Sequence, residues 1–143
     1  MMVVEKAIAK AYGGYEKIRG TKFKEDIFYC MTGQHETIFK FAENTDEFIW
    51  EKINLGKSQN YAMVISADKQ ENLENKRPEG IVLNHQYSLL GCATAYKEDK
   101  EIKLLHLRNP WGEYEWKLDW SRDSPLWPVK EKERLKVNSM GDG

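Results

Sequence analysis

Arg108-Asn109-Pro110-Trp111-Gly112-Glu113 decides how this chain is read, once it is set beside Gly80-Ile81-Val82-Leu83-Asn84-His85-Gln86-Tyr87-Ser88-Leu89-Leu90-Gly91. His85 opens one apolar run and Asn109 closes the next. His85 to Tyr96 has a strand pattern, Lys97-Glu98-Asp99-Lys100 reads as a solvated turn, and Ile102 to Asn109 has a second strand pattern. Antiparallel pairing about that turn sets opposite each other residues whose numbers sum to about 197, give or take a turn residue or a bulge. His85 then meets the stretch from Asn109 to Gly112. Cross-strand neighbours have Cβ atoms roughly 5 Å apart, so the Asn109 side-chain oxygen can accept from one imidazole N–H. That bond would fix the ring's tautomer and leave the other nitrogen for a partner.

The bulk properties fit one globular domain. The chain has 143 residues, 41% hydrophobic and 31% charged, enough to bury a core. A net charge of −1 and the lack of a basic stripe argue against a nucleic-acid surface. No apolar run reaches membrane-spanning length, and no secretory signal precedes the first helix pattern. Two cysteines make no disulfide framework, so a cytoplasmic location is expected. Trp111, Trp116, Trp120 and Trp127 crowd one short stretch, for which core packing is the expected role.

Outside the hairpin, Val4, Ile8, Ala11, Tyr15 and Ile18 form one helical stripe with Gly20 as its stop, weakened by Gly13 and Gly14. Ile27-Phe28-Tyr29-Cys30 and Ile38-Phe39-Lys40-Phe41 are short extended candidates. Asn44 with Glu47 has capping-box spacing, opening a helix lined by Phe48, Ile49 and Ile53 that Gly56 ends. Tyr61 to Ser66 reads as a buried strand, and 68–80 as a surface loop with Pro78 and Gly80. Residues 110–129 are expected to be irregular, and Lys130 to Val137 a short helix or a strand lead-in.

A histidine oriented by an asparagine is two thirds of a Cys-His-Asn nucleophilic site. An imidazolium beside a thiol depresses its pKa and supplies both nucleophile and general acid. Neither cysteine is placed for this. Cys92 lies seven residues beyond His85 on the same strand, on the opposite face by alternation. Cys30 ends an apolar run, and neither sits at a sequence-evident helix N-terminus, where reactive thiols are found. The plainer reading makes His85 a strand-end histidine and Asn109 a turn former before Pro110. His35 and His106 have no asparagine at comparable spacing.

At these residues the chain resembles the calpain family of papain-like cysteine peptidases. His85-Gln86-Tyr87-Ser88 with Gly91 is similar to the family's histidine segment. Leu107-Arg108-Asn109-Pro110-Trp111-Gly112-Glu113 with Glu115-Trp116 is similar to its asparagine segment. The likeness extends through Trp120-Ser121 and Trp127, and back to Glu5-Lys6-Ala7, Ala9-Lys10, Gly13-Gly14-Tyr15-Glu16 and Thr32-Gly33. It is weakest between 34 and 80.

The resemblance implies an α+β fold: a mostly antiparallel, barrel-like β subdomain with short helices, the His/Asn half of a papain-like catalytic core. Residues 1–143 would be a partial catalytic domain, the second subdomain only, with both ends cut within a larger protein. The activity implied is limited, calcium-dependent proteolysis of protein substrates inside the cell. By resemblance His85 is the general acid/base, Asn109 its orienting partner, and Trp111 the tryptophan that shields their bond. The nucleophilic cysteine would come from the first catalytic subdomain, so this chain alone is expected to be inactive.

The resemblance also implies Ca2+. Glu115, Met140 (through its carbonyl) and Asp142 match ligands, but a further family carboxylate falls on Arg122, with Asp123 adjacent. Calcium takes 6–8 oxygens, so the site is expected to be incomplete. Two other readings remain: a non-catalytic calpain-like module that binds a protein partner, and an unrelated small β-rich domain.

Overall fold

The computed structural model describes residues 2–18, 27–67 and 75–137, which fall into two compact units, Met1–Asn44 and Thr45–Gly143. The described elements of the first are all helical. Helix α1 spans Met2–Tyr12, and α2 spans Ile27–Thr32. The apolar stripe was expected to run to Gly20. The helix instead stops at Gly13 and Gly14, both at positive φ, and a single 3-10 turn, Tyr15–Lys17, follows. Gly20 lies outside the described residues.

One expectation fails here: Ile27-Phe28-Tyr29-Cys30 is helical rather than extended. In the 38–41 segment Lys40 is extended, and a 3-10 turn follows at Phe41–Glu43. With only β-prone side chains to read, local pattern cannot separate a short buried strand from a short helix. Thr32 Oγ1 bonds back to the Phe28 carbonyl at 2.6 Å, and Gly33 at positive φ ends the turn.

The second unit opens with helix α3, Asp46–Ser58. Its N-cap is Thr45, one residue later than expected. Thr45 Oγ1 accepts from the Phe48 N–H at 3.2 Å, while the Asn44 amide turns back to the Lys40 carbonyl. Thr45→Ala removes that acceptor and should cost about 1 kcal/mol, measured by urea denaturation. Gly56 does not end the helix. It is buried inside it and makes room for Met63: a Cβ there would lie 2.4 Å from the Met63 sulfur.

Ile49 and Ile53 of α3 form a core with Leu89 and Cys92, flanked by Phe48, Trp50, Met63, Leu105 and Leu107. The sheet beneath is antiparallel, in the order β1-β4-β5, with β1 at Val64–Ala67, β4 at His85–Lys97 and β5 at Lys100–Arg108. A second, two-stranded sheet pairs β2, Asn75–Lys76, with β3, Val82–Leu83. The described part of the expected 68–80 loop is therefore the end of a hairpin. The five residues joining the strands, 77–81, are closed by the Arg77 N–H donating to the Ile81 carbonyl at 2.8 Å, and Gly80 takes a φ of +96°. The fold is α+β with antiparallel sheets and few, short helices, as the sequence led us to expect.

The β4–β5 hairpin turns through Glu98 and Asp99, both at positive φ, as the two-residue connection matching strand twist requires. From Lys97↔Lys100 to Gly91↔His106 the register is regular. It then steps to Leu89↔Leu107, leaving Leu90 as an extra, exposed residue. This bulge corrects one expectation. It reverses the alternation, so Cys92 shares the face of Leu89, and hence of His85. Cys92 is still no partner for His85, because seven strand residues span roughly 23 Å.

After Arg108 the chain is irregular to Pro128, as expected, and α4 covers Val129–Arg134, the helical alternative at the C-terminal end. Of the four clustered tryptophans, Trp120 and Trp127 pack edge to face with centroids 4.9 Å apart. Trp111 and Trp116 are 38% and 40% exposed and Trp120 and Trp127 only partly buried, so none of the four belongs to the buried core.

Candidate active site

His85 is placed by the entry to β4. Asn84 adopts the left-handed conformation, which asparagine tolerates better than most residues, and its N–H donates to the Ala67 carbonyl at 2.6 Å. His85 then pairs with Ala67 of β1 and is buried. Tyr87 lies edge-on to the imidazole at 5.0 Å, and its hydroxyl accepts from the Val82 N–H at 2.7 Å. That bond ties the ring's apolar neighbour to β3.

Asn109 follows the last residue of β5 and is 3% exposed. Its Oδ1 stands 2.9 Å from His85 Nε2. The amide's orientation follows from its other partners. Oδ1 accepts from the Trp111 N–H at 3.1 Å, and Nδ2 donates to the Glu113 carbonyl at 2.8 Å, with the Tyr114 carbonyl 3.4 Å away. A flipped amide would set its NH2 against the Trp111 N–H and its oxygen against two carbonyls. Oδ1 therefore faces the ring, and Nε2 must carry the hydrogen. The neutral imidazole then has Nδ1 as its basic nitrogen.

The Asn-Pro-Trp-Gly sequence builds this geometry locally. Pro110 presets its own φ, the Gly112 N–H donates to the Asn109 carbonyl at 3.1 Å, and Gly112 takes a φ of +71°. The turn swings Trp111 over the histidine, with ring centroids 4.5 Å apart and planes tilted by 48°. The His–Asn pair beneath it is buried, while the indole itself is 38% exposed. Lys76, from β2, sets its ammonium 5.2 Å from the Trp111 ring and 5.1 Å from that of Tyr114. Reading the sequence singled out neither Lys76 nor Tyr87. Lys76 falls in a polar stretch with no periodicity, and Tyr87 is marked only by its alternation with His85.

The loop beyond Trp111 is docked on the β2–β3 hairpin. The Tyr114 hydroxyl donates to the Arg77 carbonyl, and the Lys117 N–H to the Glu79 carbonyl at 2.8 Å. Glu115 is engaged in an ion pair: Arg122 Nη2 lies 2.8 Å from its Oε1. Met140 and Asp142, the other expected calcium ligands, lie outside the described residues. Among the described residues no group of three or more His, Cys, Asp or Glu side chains is gathered as a metal site.

Neither cysteine lies at a helix start. Cys30 sits within α2, exposed, with Sγ 3.0 Å from the Tyr12 hydroxyl. Cys92 is buried beside Asn54 Oδ1 at 3.4 Å, and burial pushes its pKa above the ordinary thiol value, which keeps it protonated and unreactive at neutral pH. Brief treatment with iodoacetamide at pH 7.5 should therefore label Cys30 and spare Cys92 until urea is added, read by peptide mass. Of the other histidines, His106 has a pKa lowered by burial and stays neutral at pH 7, while His35 stacks on Tyr29 at 4.6 Å.

Known proteins match this chain over nearly all of it. The family model described as calpain family cysteine protease covers residues 1–143. Human calpain-9 is 33% identical over 147 residues, which is 99% of this chain and 21% of that protein. The mouse calpain-1 catalytic subunit is 31% identical over 147 residues, 99% of this chain and 20% of its own length. Mouse calpain-12 is 30% identical over 131 residues, 92% of this chain and 18% of that protein. The chain thus spans about a fifth of the length of these curated relatives. A family model met from the first residue to the last, with relatives alike across nearly the whole chain, settles the kinship: this chain belongs to the calpain family of cysteine proteases.

Proposed function

We propose that this chain is the His/Asn-bearing part of a calcium-controlled, intracellular cysteine endopeptidase that makes limited cuts in protein substrates. The observation carrying this reading is the buried 2.9 Å bond between His85 Nε2 and Asn109 Oδ1 beneath Trp111. His85 acts through Nδ1. It takes the proton of a thiol held by the Cys-bearing catalytic subdomain, and the thiolate attacks the scissile carbonyl carbon. The imidazolium then gives its proton to the leaving amine, and the neutral ring activates the water that hydrolyses the acyl-enzyme. Asn109 keeps the hydrogen on Nε2 throughout, and Trp111 keeps water from competing for it. Neither Cys30 nor Cys92 supplies the thiol, so this chain has no activity alone.

Co-expression with a Cys-bearing calpain subdomain tests this reading, with cleavage of a fluorogenic casein as readout. The expected result is no cleavage by either piece and cleavage by the pair. Cleavage by this chain alone, lost in Cys30→Ser, would overturn the assignment of the nucleophile. A stable pair without cleavage would favour a non-catalytic module that binds a protein partner.

A further inference from the structure

We propose that Arg122 supplies, from within the chain, the positive charge around which the Glu115 loop is organised, so that this loop needs and admits no calcium. The inference rests on the family likeness of the loop and disagrees with the cofactor that likeness implies. The Glu115 carboxylate is the first oxygen donor calcium would require here, and Arg122 Nη2 already lies 2.8 Å from it. The two side chains are 39% and 31% exposed, so the pair is partly withdrawn from water and is screened less than a fully exposed one. A guanidinium has donors and no acceptor and remains charged at any physiological pH. It therefore cannot ligate a cation, and it repels a divalent ion at the same carboxylate.

The rest of the loop is held by bonds that require no metal. The Trp116 indole N–H donates to the Asp119 carbonyl at 2.7 Å, and that of Trp127 to the Ser121 carbonyl at 2.7 Å. The Lys117 N–H is bound by Glu79, and the Glu115 carbonyl rests against Gly80. The same loop presents the Glu113 and Tyr114 carbonyls that orient the Asn109 amide.

The test compares the full chain with Glu115→Gln, Arg122→Gln and the double variant, in EDTA and in 5 mM CaCl2, by thermal unfolding. Tryptophan-sensitised Tb3+ luminescence serves as the second readout. Any response to calcium or terbium should be the same in wild type and Glu115→Gln. Arg122→Gln should lower Tm by about 2–4 °C, the scale of 1 kcal/mol in a domain this size, with the double variant no lower than the worse single one. A calcium-dependent rise in Tm, or a terbium signal, that Glu115→Gln abolishes would overturn the proposal. So would an Arg122→Gln protein whose Tm matches wild type.

Discussion

His85→Ala is expected to lower turnover of the peptidase assembled from this chain and its Cys-bearing subdomain by about 10⁴-fold or more, as loss of the base does in other triads. Without the imidazole the thiol has no proton acceptor and the departing amine no donor, so both halves of acyl transfer suffer. The fold should be unaffected. His85 is one side chain at the start of β4, and Asn109 retains the Trp111 N–H and its own loop carbonyls as partners. Asn109→Ala should be milder, about 10²-fold, because the ring stays present but loses the acceptor that selects its tautomer and angle. The comparison is made by kcat on a peptide substrate, with the 15N shifts of the His85 ring reporting tautomer. An Asn109→Ala enzyme with wild-type kcat and an unchanged Nε2–H tautomer would show that the asparagine orients nothing.

Gly80→Ala is the substitution expected to damage stability most. Gly80 is buried at a φ of +96°, and a Cβ there would fall 1.9 Å from the Glu115 carbonyl oxygen and 2.9 Å from Trp116 Cα. Backbone, unlike the tip of a long side chain, cannot swing aside. The left-handed conformation and the overlap together should cost roughly 2–4 kcal/mol, a fall in Tm of about 5–15 °C. The displaced segment carries the Glu113 and Tyr114 carbonyls, so the His85 tautomer should loosen as well. Thermal unfolding and the same NMR shifts check both effects. A Gly80→Ala protein with wild-type Tm would mean that the loop does not rest on the β2–β3 turn.

What the sequence discloses, and what it hides, follows from how far apart the interacting residues lie. The β4–β5 hairpin was legible because period-two burial and a charged four-residue turn are local signals, and they sufficed to bring His85 opposite the Asn109 stretch. The bulge at Leu90 was not, since Leu89-Leu90-Gly91 reads as an uninterrupted apolar run, and the face of Cys92 was misassigned in consequence. Helix α2 was missed because six residues, most of them β-prone, carry too little periodicity. The role of Gly80 was hidden because its neighbour in space is 35 positions away. Arg122 stands where the resemblance calls for a carboxylate, but no pattern in the sequence shows that its guanidinium reaches back to Glu115.

The hairpin that joins His85 to Asn109 has one further consequence, for the order in which an enzyme of this kind comes together. The two residues are 24 positions apart, linked by a two-residue turn and adjacent strands. Pairings of such short sequence separation close early and with little loss of chain entropy. His85 and Asn109 can thus be brought side by side early; on the function proposed above, the base is set before it meets a thiol. On that proposal, assembly reduces to docking two surfaces already formed, a step open to control by anything that changes how often they meet.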